Sequence, residues 1–438
     1  MTPCVHPFFV RRGIMRLSKL NIKKINMNDI DENYSGQDIL MKLGELYQFE
    51  SGIFGYGNIW NKLQRKVEDI IIDELDKADC IQVDYPKLQP RKIWDQSDRW
   101  DVYTKETDTM FTIDCNFGEY GLAPTAEECA LLFGSNRLGS YKTMPAVYYQ
   151  IGDKFRKEIR ARGYLFRPRV FTMMDAYSFD RNKEELHKTF NKMHDVYKNI
   201  FKRIGIDVIS VVSDGGTMGG RVSEEFQAIT KLGEDIILYD KKKGIGINKE
   251  VLDFEDRDTF IKALGIDDLN SLEEVSSVEL GNNFELDTKY SDSMKIYFVD
   301  ENGENKPYYM GCYGIGLGRI CACLIENNII KKDGKLKGFS LPYNIAPYKV
   351  QIIYNESNKE HGEKLYKELS DKNISCILDD RENINLGSKI NDVYTLGTPK
   401  IIVLGNKFDG NNYTIENTVD NKIEEVPVSE IVNYFQKY

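Results

Sequence analysis

The sequence predicts an α+β fold: a large domain built on an antiparallel sheet flanked by helices, followed by a small α/β domain. Three observations point there. From Asp108 to Thr230, strand and helix patterns alternate without a repeated crossover, which favours an antiparallel sheet over a doubly wound one. Within that stretch Leu186, Phe190, Met193, Val196 and Ile200 recur at helical spacing and predict one long helix over 183–204. In the last ~90 residues, apolar runs at 348–354, 374–378 and 400–404 are separated by helical patterns at 359–371 and 386–396, the signature of a small, mostly parallel sheet.

The remaining elements follow in chain order. Ile59, Leu63, Val67, Ile70, Ile71 and Leu75 predict a helix capped by Asn58 and ending near Lys77. Cys80 to Pro86 then reads as a strand closed by proline. Short strands are expected around Phe111, Tyr148 and Val170. Lys231 to Ser277 is polar and charged and reads as an inserted appendage, and Pro342 and Pro347 mark the hinge before the last domain. The expected organisation is a lead over 1–34, a candidate for disorder, a main domain over 35–340 carrying the insertion at 231–277, and a final domain over 341–438.

Composition excludes several classes of function. A net charge of −10 argues against a protein that coats nucleic acid, DNA included, and leaves room for an RNA that docks on a local basic face. Eight cysteines without a CxxC pair, and only four histidines, none near a motif, disfavour zinc and histidine-based nucleophilic chemistry. No apolar run reaches membrane-spanning length, and free cysteines fit a reducing cytoplasm. Residues 1–14 carry two arginines and no acid; they read either as an organelle-targeting remnant or as a lead before a start at Met15.

The chemistry-bearing words are these. Phe155-Arg156-Lys157-Glu158 is strand-like, so Arg156 and Glu158 share a face, and Arg167, Phe171 and Asp175 follow. Gly311 to Gly318 is a glycine-rich run that ends in Arg319 and an apolar helix. Arginine stays charged at neutral pH and its fork matches phosphate oxygens, so two such arginines with an aromatic between them suit a nucleoside triphosphate. Neither word is a Walker loop, since no Gly-Lys-Ser/Thr follows the glycines. Pro124-Thr125-Ala126-Glu127-Glu128 reads two ways: Thr125 capping a helix whose first turn carries two acids, or a carboxylate and a hydroxyl facing a ligand amine.

Taken together these words resemble the motifs of class II aminoacyl-tRNA synthetases, and the Trp94–Trp100 segment, the Thr125-x-Glu127 loop and the Asp175-Ala176-Tyr177 word are similar to those of the bacterial-type prolyl enzymes. The resemblance runs from about residue 35 to the end, the insertion excepted. It implies a class II catalytic domain followed by an anticodon-binding domain, with L-proline, ATP and tRNA(Pro) as substrates, Mg²⁺ as cofactor, no zinc and a homodimer. Arg156 and Arg319 carry over as the catalytic arginines, bridging carboxylate and α-phosphate and clamping the γ-phosphate. Glu158, Arg167, Phe171, Glu279, Asn282, Gly316 and Gly318 carry over as ATP contacts, with Glu279 also the metal ligand. Thr125, Glu127, Arg156, Asp175, Tyr177, Phe284 and Cys312 carry over to the proline pocket, and Asp380, Arg381 and Lys389 to the anticodon. Three positions depart from the family's words: Glu224 and Asn282 replace histidines, and Asp287 replaces a glycine. Phe226 and Glu279 are only about 50 residues apart, too few for a large editing domain, and Tyr239 to Gly244 stands where relatives show a zinc-binding CxxC. Two rivals remain: a threonyl- or seryl-type enzyme, and a non-catalytic RNA-binding paralogue.

Overall fold

The computed structural model describes residues 15–23, 31, 33–158, 165–213, 223–253, 257, 261, 266, 269, 272–332 and 335–437. Residues 1–14, and Gly219 to Val222 of the word before Ser223, lie outside them. Two compact units divide the chain: Tyr47–Gly55 with Gln64–Asn327, and Met1–Leu46 with Tyr56–Leu63 and Asn328–Tyr438.

The first unit is organised by a nine-stranded sheet. Its strands run in the order Ser223–Ile229, Ile209–Ser213, Ile245–Asn248, Asp235–Asp240, Glu273–Asp287, Tyr309–Gly316, Val170–Asp180, Ala146–Phe155 and Ile81–Gln82. Neighbours are antiparallel except Ile209–Ser213 with Ile245–Asn248 and Ile81–Gln82 with Ala146–Phe155. The expected strand over Cys80–Pro86 shrinks to Ile81–Gln82. Beyond it the Tyr85 amide turns to the Gln150 side chain, so a side chain takes over from the ladder.

Ser223–Ile229 also pairs with Glu273–Asp287, so the first five strands close on themselves as a ring. This corrects the expectation of an appendage at 231–277. Asp235–Asp240 and Ile245–Asn248 are woven into the main sheet, burying Ile237 and Ile247. Gly233 makes the closure possible, since a Cβ there would fall 2.2 Å from the Ser277 carbonyl oxygen.

The helix Lys183–Ile204 covers one face of the sheet. Asn182 caps it by accepting from the Glu185 amide, acids at 184 and 185 and bases at 202 and 203 complement its dipole, and Gly205 at φ 89° ends it. Its buried stripe runs through Leu186, Met193, Tyr197 and Ile204, with Tyr197 meeting the ring of Phe226.

The second unit holds a six-stranded sheet in the order Met15–Arg16, Cys376–Asp379, Val350–Tyr354, Lys400–Leu404, Asn412–Asn417 and Ile423–Pro427. The first four are parallel and the last two antiparallel. Residues 15–22 are therefore ordered rather than part of a loose lead. Met15–Arg16 adds to the sheet beside Cys376–Asp379, and Leu17 packs with Tyr348, Ile377 and Leu396.

Candidate active site

A cavity of about 300 Å³ opens in the first unit where strand ends converge. The strand Ala146–Phe155 stops one residue short of Arg156, so Arg156 and Glu158 stand just past its end and not within it. The Arg156 amide donates to the Arg169 carbonyl, and its guanidinium lies 5.2 Å from the centroid of the Phe171 ring while donating to the Pro124 carbonyl at 3.3 Å. Arg156 forms no ion pair with a described residue. Arg167 is held by Glu234 at 3.1 Å and by Glu158 at 4.0 Å.

On the facing wall the glycine run forms the strand Tyr309–Gly316, and Gly318 and Arg319 fall in the first turn of the helix Leu317–Asn327. Arg319 donates to the Phe166 carbonyl at 2.9 Å and to the Glu279 carboxylate at 3.0 Å. Burial works against its charge, but Glu279 outweighs burial and the pKa is raised. Asn282 donates to the other Glu279 oxygen at 2.7 Å. Gly314 leaves room for this, as a Cβ there would lie 2.9 Å from Asn282 Oδ1.

The far end of the cavity is a hydrogen-bonded cluster. Glu127 accepts from the Thr125 hydroxyl at 2.6 Å, from Arg99 at 2.9 Å and from the Cys312 thiol at 3.5 Å. Asp175 pairs with buried Lys154 at 2.6 Å and accepts from Tyr177 at 2.8 Å and Gln150 at 2.9 Å. The helix Glu127–Ser135 has Ala126 at its N-cap with no side-chain bond, so Thr125 does not cap it. Its hydroxyl is taken by the Glu127 side chain, and the Ala126 amide donates to Tyr177.

Thus Thr125, Arg156, Glu158, Arg167, Phe171, Asp175, Glu279, Asn282, Phe284, Cys312, Gly316, Gly318 and Arg319 line one cavity, while Glu127 and Tyr177 are fully buried behind its wall. Asp287 stands away from the cavity, at φ 49° in an irregular step of the ladder, paired with Lys183. Glu224, the other departure, bonds His194 at 2.7 Å. Sequence reasoning missed Tyr103, a lining residue on a π-helical turn at Val102–Glu106, and the buried cations Arg99 and Lys154. Trp94 and Trp100 flanking Arg99 were the available sign that this charge is buried.

The class II core domain shared by glycyl-, histidyl-, prolyl-, seryl- and threonyl-tRNA synthetases matches residues 107–328, and an anticodon-binding domain matches 349–438. A proline–tRNA ligase of Rickettsia akari is 33% identical over 96% of this chain and all of its own length, and one of Rickettsia bellii is 32% identical over 95% and 97%. The chain is a prolyl-tRNA synthetase family member. A solved prolyl-tRNA synthetase of Cryptosporidium parvum, bound to halofuginone and AMPPNP, shares the fold at a TM-score of 0.72 with 14% identity, covering 92% of this chain and 76% of that one.

In this synthetase the three residues expected at the anticodon are bound internally. Arg381 is forked onto Asp379 at 2.6 and 2.9 Å and reaches Asp392 at 2.8 Å. Asp380 accepts from the Ser18 amide and hydroxyl, and Lys389 is buried against the Asp379 carbonyl.

Proposed function

We propose that the cavity joins L-proline to ATP as prolyl-adenylate and that the chain then passes the prolyl group to the 3′ end of tRNA(Pro). The observation that carries this is the convergence of Arg156 and Arg319 from separate strand ends on one cavity, with Phe171 beside the first and an acceptor-rich end at Thr125 and Asp175. The proline carboxylate attacks the α-phosphorus in line and pyrophosphate leaves; a terminal ribose hydroxyl of the tRNA then attacks the carbonyl carbon and AMP leaves. Fixed cations stabilise the charge that develops, so the first step needs no general acid or base. In this reading Arg156 bridges carboxylate and α-phosphate, Arg319 clamps the γ-phosphate, Phe171 stacks on adenine, Glu158 accepts from its amine, and Arg167, Asn282, Gly316 and Gly318 complete the ATP site. Phe284 and Cys312 shape the proline pocket.

Mg²⁺ fits the donor set. It binds through one or two carboxylates plus phosphate oxygens and keeps several waters. Glu279 lies on the cavity wall. Glu279 would hold the ion, which neutralises triphosphate charge. A homodimer and a cytoplasmic location belong to the same proposal. ATP–pyrophosphate exchange across the twenty amino acids tests the activity: exchange driven by proline supports it, exchange driven by threonine or serine replaces the substrate, and no exchange marks a non-catalytic paralogue.

A further inference from the structure

Arg99 is a buried cation that the roles above leave unused. Its guanidinium donates at 2.9 Å to both Glu127 and Glu128 and at 2.6 Å to the Tyr103 hydroxyl, and it lies over the rings of Trp94, Tyr103 and Tyr290 at 4.7 to 5.2 Å. Its side chain is 4% exposed and both carboxylates are fully buried. A stability role alone is weak ground for keeping such a cluster, because buried ion pairs barely recover their desolvation cost.

What the cluster does control is a hydroxyl. Thr125 has a single hydroxyl proton, and an ionised Glu127 only accepts. At 2.6 Å the proton points at Glu127, and the oxygen of Thr125 shows the cavity its lone pairs. The Cys312 thiol spends its proton on the same carboxylate oxygen. Two cavity-lining groups able to donate are thereby turned into acceptors, which suits a secondary ammonium bearing two N–H donors. We propose that Arg99 is a positioning residue that, through Glu127, fixes the direction of the Thr125 hydroxyl and keeps Thr125 and Cys312 as acceptors toward the proline amine. Without the cation, a buried Glu127 takes up a proton, donates back to Thr125 and turns the hydroxyl proton into the cavity, donor against donor. The electrostatics agree: burial raises a carboxyl, yet Arg99 and the Thr125 hydroxyl bring Glu127 below its ordinary value, whereas Glu128 stays raised.

The inference rests on the cavity being the proline site, and the test separates the two. Proline-dependent ATP–pyrophosphate exchange is measured for the wild type, Arg99→Gln and Arg99→Lys, with tetrahydrofuran-2-carboxylate, whose ring oxygen replaces the N–H, as competing inhibitor. A wild type without proline-dependent exchange sinks the site reading itself. Given exchange, Arg99→Gln should raise the KM for proline about 30-fold or more while the KM for ATP moves less than about threefold, as expected for losing one charge-assisted network at one substrate. The preference for proline over the oxygen analogue should fall in Arg99→Gln and return in Arg99→Lys, which keeps the charge. If Arg99→Gln does not fold, the double variant Arg99→Gln/Glu128→Gln removes a buried carboxylate along with the cation and is read the same way. An unchanged preference, or proline and ATP constants rising together, leaves Arg99 a purely structural residue and overturns the proposal.

Discussion

Lys183 Nζ stands 3.1 Å from the Asp287 carboxylate, and neither residue lines the cavity. The acid that replaces a family glycine thus lies away from the expected triphosphate, and its positive φ explains why glycine suits the position. Asp287→Gly relieves a left-handed backbone and loses an exposed ion pair, two effects each on the order of 1 kcal/mol that oppose one another. The expected outcome is a small shift in Tm and an unchanged KM for ATP; a clear drop in that KM would place the carboxylate against phosphate.

Arg156→Ala and Arg319→Ala should each cut adenylate formation by about 10³-fold or more, the scale on which a phosphate-stabilising arginine acts. They should differ in stability. Among the described residues Arg156 has no carboxylate to abandon, so its variant melts near the wild type. Arg319→Ala leaves the Glu279 carboxylate, among the described residues, with Asn282 alone and should melt lower. Exchange assays and calorimetry on the two proteins check both statements, and near-normal exchange in either would move the triphosphate elsewhere.

Alanyl-tRNA(Pro) should persist in the presence of this protein. A pocket shaped for proline rejects a smaller apolar side chain only about 10–200-fold, and the described strands within 231–277 complete the main sheet instead of building a separate hydrolytic domain. Deacylation of added alanyl-tRNA(Pro) above background would reveal a second site.

Asp180 is fully buried, accepts from Ser178 at 2.7 Å and Thr189 at 2.6 Å, and is pushed up to about 6 by burial. An acid raised in the fold binds more protons folded than unfolded between its ordinary value and about 6, so stability falls as pH rises through that window. Across the whole window, at about 1.4 kcal/mol for each pH step, the loss is on the order of 3 kcal/mol. Asp180→Asn should flatten the stability–pH curve between about pH 4 and 6 relative to the wild type; parallel curves would show that Asp180 does not titrate there.

Much of this was legible because local and global signals agreed. The helix Lys183–Ile204 has its cap, its dipole charges and its apolar stripe in sequence, and it forms over those residues. The arginine and glycine words were legible as arrangements of residue types that suit phosphate. Other features were hidden because long-range pairing decides them. Ile236, Ile237 and Leu238 looked like a short run inside a charged insertion until Ile245–Asn248 and Glu273–Asp287 supplied partners on both sides. Thr125 looked like a cap because sequence spacing cannot tell that its hydroxyl meets the side chain of Glu127 and not a backbone amide. Lys154 could not be read as buried, since its partner Asp175 arrives from the neighbouring strand.

The strand order also sets a timetable for synthesis. Tyr309–Gly316 lies between Val170–Asp180 and Glu273–Asp287, so those two strands, each bearing cavity residues, face an open gap until the last of the three leaves the ribosome. A nascent chain halted before residue 309 displays two unpaired edges at once, the condition under which chains stick to one another or recruit chaperones.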